Sequence, residues 1–512
     1  MAENRSEAYA PIAIGSRLEP MVDEHLIDRM TGDVRLQLHR PVRREVVLRT
    51  DAPWEGNASA FQSVFKDGDL YRMYYRGLHY RNGKPSEALA NGPRVLCYAE
   101  SDDGVNWRRP DLGLFAFNGS KDNNIILTPE CLIAIGGDPA HTSVFRDANP
   151  DCPPDARYKI TVVGKKPKGM YALKSADGIR FSVMSDRPSV TEGAFDSQNL
   201  MFWDPVRGEY REYHRGFRDG VRDILTAVSG DILDFPKPQW VEYPGAPTEH
   251  LYTNAIQPYF RAPHIFVGFP MRYVDRGWSD PMIDLPGFDE RQRRAGYSRR
   301  YGTAVTDGLF MSSRDGVRFK RWGEAFIRPG PRRRQTWVYG DNFTFWGMVE
   351  TPSGLEDAPD EISLYAMDGY WEGRAAEVRR YTLRMDGFVS ASAPLCGGEF
   401  VTRPLTFDGG RLALNMETSA AGGIQVEIQD AGGAPMPGYA LDDCPPIFCD
   451  ALDHGVYWKQ GSDVRALSGK PVRLRFVLKD ADLYAFQFVP YAADASRPDL
   501  ASLPGQRKPV DG

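Results

Sequence analysis

Apolar and polar residues alternate along much of this chain, in short runs broken by glycine, proline, asparagine and aspartate, and that period of two predicts strands almost throughout. One unit recurs. An apolar strand and a short polar turn lead into a second strand rich in tyrosine and arginine, first as Ser63-Val64-Phe65-Lys66-Asp67 before Leu70-Tyr71-Arg72-Met73-Tyr74-Tyr75-Arg76-Gly77. It returns as Ser143-Val144-Phe145-Arg146-Asp147 before Arg157-Tyr158-Lys159-Ile160. A third copy is Leu200-Met201-Phe202-Trp203-Asp204 before Glu209-Tyr210-Arg211-Glu212-Tyr213-His214-Arg215-Gly216. Weaker members run from Ala255 through Tyr259 to His264-Ile265-Phe266-Val267-Gly268, and from Phe343 through Gly347 to Ile362-Ser363-Leu364-Tyr365.

Each hairpin precedes a seven-residue phrase: serine, any residue, aspartate, glycine, any two, then an aromatic. Ser101-Asp102-Asp103-Gly104-Val105-Asn106-Trp107 is the fullest copy, followed by Ser175-Ala176-Asp177-Gly178-Ile179-Arg180-Phe181 and Ser313-Arg314-Asp315-Gly316-Val317-Arg318-Phe319. Ser229-Gly230-Asp231-Ile232-Leu233-Asp234-Phe235 and Arg384-Met385-Asp386-Gly387-Phe388 are worn copies. The phrase reads as a turn, with Asp-Gly supplying left-handed backbone and the side chains bonding the turn's own amides. Intervals of roughly 55 to 85 residues fit one four-stranded sheet per copy, so the count predicts five blades of a β-propeller.

The expected fold is therefore all-β. A five-bladed propeller with an N-terminal extension covers residues 1–389, a β-sandwich 390–491 and a polar tail 492–512. The sandwich is read from glycine-rich turns at Gly397-Gly398, Asp408-Gly409-Gly410 and Ala431-Gly432-Gly433, which separate short alternating strands. Before Ala52 a strand pair is expected near Val34 to Leu38 and Glu45 to Leu48, one of which can close the ring by pairing with the last blade.

Composition narrows the function. The chain has 512 residues, 42% of them hydrophobic and 26% charged, with 63 basic against 69 acidic residues and a net charge of −6. Its basic clusters are confined to Arg291-Gln292-Arg293-Arg294, Arg299-Arg300 and Arg332-Arg333-Arg334, which argues against nucleic acid as a partner. Six cysteines are scattered without metal or redox spacing and are expected as free thiols. The N-terminus carries no long apolar run and no stretch approaches a membrane span, so the expectation is a soluble protein, cytoplasmic as given, or secreted or periplasmic if a signal was removed.

A five-bladed propeller followed by a β-sandwich resembles the glycoside hydrolases of family 32, and the propeller alone also resembles family 43. Val472-Arg473-Leu474-Arg475-Phe476-Val477-Leu478-Lys479-Asp480-Ala481-Asp482-Leu483-Tyr484-Ala485-Phe486 is similar to the closing strands of family-32-like proteins. The resemblance implies three acids near the starts of the first three inner strands: an aspartate nucleophile, an aspartate holding sugar hydroxyls and a glutamate acid. The hairpin register places Asp196 at the acid's position. Asp138 lies one residue before the second family position and His141 two after it, while Ala58-Ser59-Ala60-Phe61-Gln62, at the first, has no carboxylate. Asp147 resembles a family Arg-Asp-Pro aspartate, but the repeat places it in a turn at the far end of its strand.

Hydrolysis of a glycoside needs one carboxylic acid to protonate the leaving oxygen and a carboxylate that attacks or activates water. Acids precede all five inner strands: Glu55, Asp138, Asp196, Glu249 and Asp341. The expected catalytic set is Asp196 as general acid with Glu249, Asp341 or Glu55 as base or nucleophile. Asp138, His141, Gln198, Trp54, Arg222, Arg272, Asn254 and His250 are the expected substrate contacts. The predicted function is a glycoside hydrolase working in the central funnel on a carbohydrate partner. A non-catalytic carbohydrate-binding protein, or a phosphorylase or transferase on the same scaffold, are the alternatives. No cofactor is expected, although a structural calcium in the propeller channel is compatible with the fold, as is a homo-oligomer; no membrane partner is expected.

Overall fold

The computed structural model describes residues 10–81 and 90–491, so the expected tail 492–512 lies outside the described residues. The chain divides into two compact units, Leu38–Phe388 and a second made of Met1–Gln37 with Val389–Gly512.

The first unit is a five-bladed propeller. Blade 1 is Ser63–Asp67, Leu70–Tyr80, Ala90–Ser101 and Ile125–Leu127; blade 2 is Asp138–Arg146, Tyr158–Lys165, Lys168–Ser175 and Ser182–Val183. Blade 3 is Leu200–Asp204, Glu209–Arg218, Val221–Ser229 and Gln239–Trp240. Blade 4 is Gln257–Tyr259, Ala262–Gly268, Met311–Ser313 and Lys320–Arg321, with a hairpin, Met271–Asp275 and Ala304–Gly308, projecting from it. Blade 5 is Val349–Thr351, Glu361–Asp368 and Glu377–Arg384, and its outermost strand is the N-terminal Val42–Arg49. The two ends of the propeller sequence thus meet in one sheet, and the ring closes by strand pairing.

The repeated phrase is the turn from the third to the outer strand. In the full copies the glycines Gly104, Gly178 and Gly316 have φ of 74°, 77° and 76°, a region that non-glycine residues enter only with strain. The aspartate caps the turn: Asp177 Oδ1 accepts the N–H groups of Ile179 and Arg180, both at 2.8 Å, as Asp315 Oδ1 does for Val317 and Arg318. Each of these turns also receives a tyrosine from the preceding blade. Tyr365 of blade 5 donates to the Gly104 carbonyl at 2.5 Å, Tyr74 of blade 1 to Gly178 at 3.0 Å, and Tyr213 of blade 3 to Gly316 at 2.7 Å. A side chain on Gly178 would meet the Tyr74 hydroxyl at 2.8 Å. The worn copies differ in kind. Asp231 still caps Leu233 at 2.9 Å with Ile232 in the glycine's place, whereas in the fifth copy Asp386 itself takes φ of 61° and accepts from the buried Tyr259 hydroxyl at 2.6 Å.

A second set of bonds joins the blades near the axis. Val144 N–H donates to Ser63 Oγ at 2.9 Å and Ser143 Oγ donates to the Asn199 carbonyl at 2.6 Å. Gln198 Oε1 accepts from Ala255 at 2.8 Å, Trp346 Nε1 donates to Ile256 at 2.9 Å, and Val64 N–H donates to the Trp346 carbonyl at 2.8 Å. The circuit runs through all five blades. Asp147 sits at the far end of its strand, as the repeat required, accepting from the Tyr210 hydroxyl at 2.7 Å and paired with the buried Lys159.

The second unit is built on two long strands, Arg411–Asp430 and Val472–Val489, paired antiparallel along their length. Leu412, Leu414, Met416, Ile424, Val426 and Ile428 are buried on one, and Val472, Leu474, Phe476 and Leu478 on the other. The buried face of each strand lines one apolar core, as a β-sandwich requires. The N-terminal extension expected in the propeller divides instead: Ile12–Gly15, Glu19–Pro20, Ile27–Gly32 and Arg35–Leu38 join the sandwich sheet. The expected pair near residues 34–48 is likewise two strands in different sheets. Ile14, Met21, Leu26, Ile27 and Val34 bury their side chains in the sandwich core, which is what draws them there.

Hydrogen bonds to the turn carboxylates depress their pKa: against opposing burial, backbone bonds from Arg180 and Ile179 bring Asp177 down to about 2. A carboxylate held below its unfolded pKa of about 3.9 stabilises the fold above that value and loses its effect as pH falls through the folded pKa. Asp177→Ala is expected to cost about 1 kcal/mol at neutral pH, and the gap from the native protein should close between pH 4 and pH 2 in denaturant melts followed by circular dichroism.

Candidate functional site

The loops that enter the inner strands carry unusual backbone. Phe61, Phe195, Ala255 and Asn342, each shortly before an inner strand, have φ of 58°, 59°, 43° and 62°. Non-glycine residues held there cost about 1–3 kcal/mol each and concentrate at functional sites. Two arginines brace these loops. Arg76, on the second strand of blade 1, donates to the Ala58 carbonyl of its own blade at 3.0 Å and the Ala140 carbonyl of the next at 3.3 Å. Arg215 occupies the same position in blade 3, donating to the Asp196 carbonyl at 3.2 Å and the Tyr252 carbonyl of the next blade at 2.8 Å. The glycines that follow allow the close approach: a Cβ on Gly77 would lie 2.6 Å from the Trp54 carbonyl, and one on Gly216 2.5 Å from the Trp240 ring.

Asp196 is the open acid of the group. Its side chain is 59% exposed and Oδ1 pairs with Arg215 Nη1 at 3.0 Å. Partial burial would raise its carboxyl, but the Arg215 charge and hydrogen bond outweigh that and hold it below the ordinary 3.8. Asp196 is therefore ionised at neutral pH. Beside it, His141 is pushed down to about 3 by burial and by the Arg76 charge, against the opposing pull of Asp138 and Asp196, and so is neutral. The Arg215 guanidinium lies 4.2 Å from the centre of the Tyr252 ring. Burial alone would raise the Tyr252 phenol, but Arg215 and a hydrogen bond with Tyr339 hold it below its ordinary 10.

The loop bearing Asp196 is held from behind by a buried pair. His214 Nε2 lies 2.9 Å from the Glu192 carbonyl, which can only accept, so Nε2 carries a proton. Its Nδ1 is 2.6 Å from Glu212 Oε2. Burial raises the Glu212 carboxyl.

The other expected catalytic acids have partners of their own. Glu55 has no exposed side-chain surface; Arg109 pairs with it at 2.9 Å, and the Tyr75 hydroxyl and the Ala52 N–H also donate to it. Asp341 is buried, accepts from the N–H groups of Gly369 at 2.9 Å and Tyr370 at 3.1 Å, and is raised well above its ordinary value by burial and by Asp368. Glu249 is clamped between Arg272 at 2.9 Å and Arg321 at 3.0 Å, beside a cavity of about 740 Å³ also lined by Arg276, Asp307, Arg328 and Trp337.

Of the expected contacts, His141 sits beside Asp196. His250 stacks on Tyr273 with ring centres 4.5 Å apart, and Arg222 donates to the Tyr273 hydroxyl at 2.9 Å. Asp138 pairs with Arg94 and accepts from Ala140 N–H at 2.8 Å. Gln198 is a stitch of the inner ring, Asn254 is buried beside it, and Arg272 pairs with Asp307 at 2.7 Å. Trp54 donates to Asn124 Oδ1 at 2.7 Å and packs edge-on to Phe117. Arg76, Arg215, Tyr252, Arg300 and Tyr339 had no place among the expected contacts. The repeated Arg-Gly at Arg76-Gly77 and Arg215-Gly216 was the available signal for two of them.

Among the described residues no group of three or more histidine, cysteine, aspartate or glutamate side chains is placed to hold a metal ion, and no helix is long and apolar enough to cross a membrane. All six cysteines are free.

No protein-family model matches the chain, and no curated protein matches it in sequence. Among solved structures it is similar to an N-acetylgalactosamine deacetylase from F. plautii in complex with blood group B trisaccharide (9% identity, 69% of this chain and 96% of that one, TM-score 0.42). It is similar also to a family 43 arabinoxylan arabinofuranohydrolase from Bacillus subtilis in complex with cellotetraose (12% identity, 88% and 99%, TM-score 0.38). A third is a structure described with the family 130 mannoside phosphorylases and glycoside hydrolases that target β-1,2 mannosidic linkages in Candida mannan (12% identity, 71% and 96%, TM-score 0.36). Similarity this distant says nothing of substrate or mechanism.

The partners separate structural acids from the open one. Glu55→Ala leaves Arg109 without its buried partner and should cost about 3 kcal/mol in urea unfolding, while Asp196→Asn, at an exposed side chain, should stay within about 0.5 kcal/mol of the native protein.

Proposed function

We propose that the protein acts on a glycoside held at the inner-strand end of the propeller, with Asp196 supplying the carboxylate. The observation that carries this reading is the contrast in exposure: the Asp196 side chain is 59% exposed, whereas those of Asp138 and Glu249 are 19% and 23% exposed and Glu55 and Asp341 are buried. Held ionised by Arg215, Asp196 suits attack at the anomeric carbon or removal of a proton from water. It does not suit the proton-donor role that the resemblance implied. The leaving oxygen needs a proton, and Tyr252, a phenol made more acidic by Arg215, is the donor we assign.

A second reading, glycan binding without hydrolysis, draws on the same contrast. None of the other acids before the inner strands is unengaged, so the paired carboxylates of common glycosidases have no evident counterpart among the described residues.

A panel of aryl glycosides provides the test. Asp196→Asn should lower turnover at least about a thousandfold with little change in Tm, and Tyr252→Phe about a hundredfold, the scale of general acid catalysis. Activity should fall as pH drops through the depressed Asp196 pKa, below 3.8, and as pH rises through that of Tyr252, below 10, with the alkaline limb absent in Tyr252→Phe. Retained turnover in Asp196→Asn would rule out the catalytic reading. Glycan-array binding by a native protein that cleaves none of its ligands would establish the second.

A further inference from the structure

Beside Asp196 lies a concentration of positive charge that hydrolysis of a neutral glycoside does not use. Arg222 is only 9% exposed, yet its side-chain partners are aromatic: the Tyr273 hydroxyl at 2.9 Å, and the rings of Tyr273, Phe217 and Tyr252 at 5.3, 5.4 and 5.9 Å. A guanidinium has five N–H donors, and Arg222 Nε is buried with no partner. Arg300, on the short helix Arg299–Thr303, is half-buried. It donates to the Tyr301 hydroxyl at 3.2 Å, and its Nε is also buried and unpartnered. Neither arginine has a carboxylate partner among the described residues, and the nearby carboxylate, Asp196, is taken by Arg215.

His250 joins these two. Its Nδ1 accepts the backbone N–H of Arg222 at 3.2 Å, which leaves the proton of the neutral ring on Nε2 as a donor. The ring stacks on Tyr273 at 4.5 Å, Tyr273 lies 6.1 Å from Tyr339 and Tyr339 5.1 Å from Tyr301, over whose ring the Arg300 guanidinium sits at 4.8 Å, so one aromatic cluster carries both arginines. Burial and the neighbouring Arg222 charge lower the His250 pKa. Guanidinium charge buried without a counter-ion is costly unless a ligand supplies the anion, and planar N–H pairs suit carboxylate, sulfate and phosphate oxygens.

We propose that Arg222, Arg300 and His250 form an oxyanion subsite next to Asp196. The anion is either an acidic group carried on the sugar or free phosphate entering alongside it. The first source rests on the glycoside reading above; the second does not.

Calorimetric titration of the full chain with methyl glycosides of glucuronic, galacturonic and mannuronic acid, with their neutral hexoside counterparts, and with inorganic phosphate separates these. A uronide bound at least about tenfold more tightly than its neutral counterpart places the anion on the sugar, and phosphate binding without that preference places it in solution. In either case Arg222→Met and Arg300→Met should each weaken anion binding about tenfold or more, a larger loss than for any neutral hexoside, while Arg222→Lys, which keeps the charge, recovers part of the loss. Neutral hexosides bound as tightly as uronides with no phosphate binding would overturn the subsite and spare the glycoside reading. Phosphate bound in an Arg222-dependent way with no glycoside of either charge would do the reverse. Anion binding unchanged in both methionine variants, or no binding of any anionic probe at millimolar concentration, would also overturn the subsite.

Discussion

The propeller depends on hydrogen bonds that cross from one blade to the next, because each four-stranded sheet satisfies its own backbone and has no intrinsic reason to choose its neighbour. Two sets of such bonds make that choice. At the outer turns, a tyrosine hydroxyl on one blade donates to the glycine carbonyl of the next, at Gly104, Gly178 and Gly316. Near the axis, Ser63, Ser143, Gln198 and Trp346 link successive inner strands. Apolar packing between blades supplies most of the stabilisation, but it is not directional. The crossing bonds fix register, and register decides which residues stand at the axial end.

The candidate site inherits that constraint. Arg76 and Arg215 each bond a loop of their own blade and a loop of the next, so the residues that brace the inner strands also charge the site. Arg215 shows the coupling most directly: one guanidinium holds two loop carbonyls, keeps Asp196 ionised and lies over the ring of Tyr252. The His214–Glu212 pair acts from the other side, tying Glu192 and thereby the loop that presents Asp196. Left-handed backbone at Phe61, Phe195, Ala255 and Asn342 can persist because these loops are overdetermined by such contacts.

The same logic explains why similar-looking acids have different fates. Glu55, Asp196 and Asp341 all precede inner strands, but Glu55 meets Arg109 in the interior and Asp341 meets the backbone N–H groups of Gly369 and Tyr370. Each is fully engaged in holding a loop. Asp196 has its one arginine on one side and solvent on the other. Arg222 and Arg300 present the opposite case, cations whose neighbours are aromatic, and the imbalance between these cations and the nearby carboxylates sets the character of the ligand proposed for the site.

Much of the fold was legible in the chain alone, because strand alternation and turn chemistry are local. The Ser-x-Asp-Gly phrase counted the blades, since a glycine at positive φ and an aspartate capping the next two amides require only neighbouring residues. The hairpin register likewise put Asp147 in a turn and Asp196 before an inner strand. What residues 12–38 would join was not legible: their strands pair with segments beyond Phe388, and nothing local in Ile12 to Leu38 distinguishes a propeller edge from a sandwich edge. Nor was the engagement of Glu55, Glu249 and Asp341, or the lack of a counter-ion at Arg222, because a side chain's charge state depends on partners tens or hundreds of residues away. Arg109 lies 54 residues from Glu55, and Arg321, on the outer strand of blade 4, reaches back to Glu249 in the loop before that blade. Sequence determined which elements form and how often they repeat; only the tertiary structure decided which acid is left open, since electrostatics acts through space.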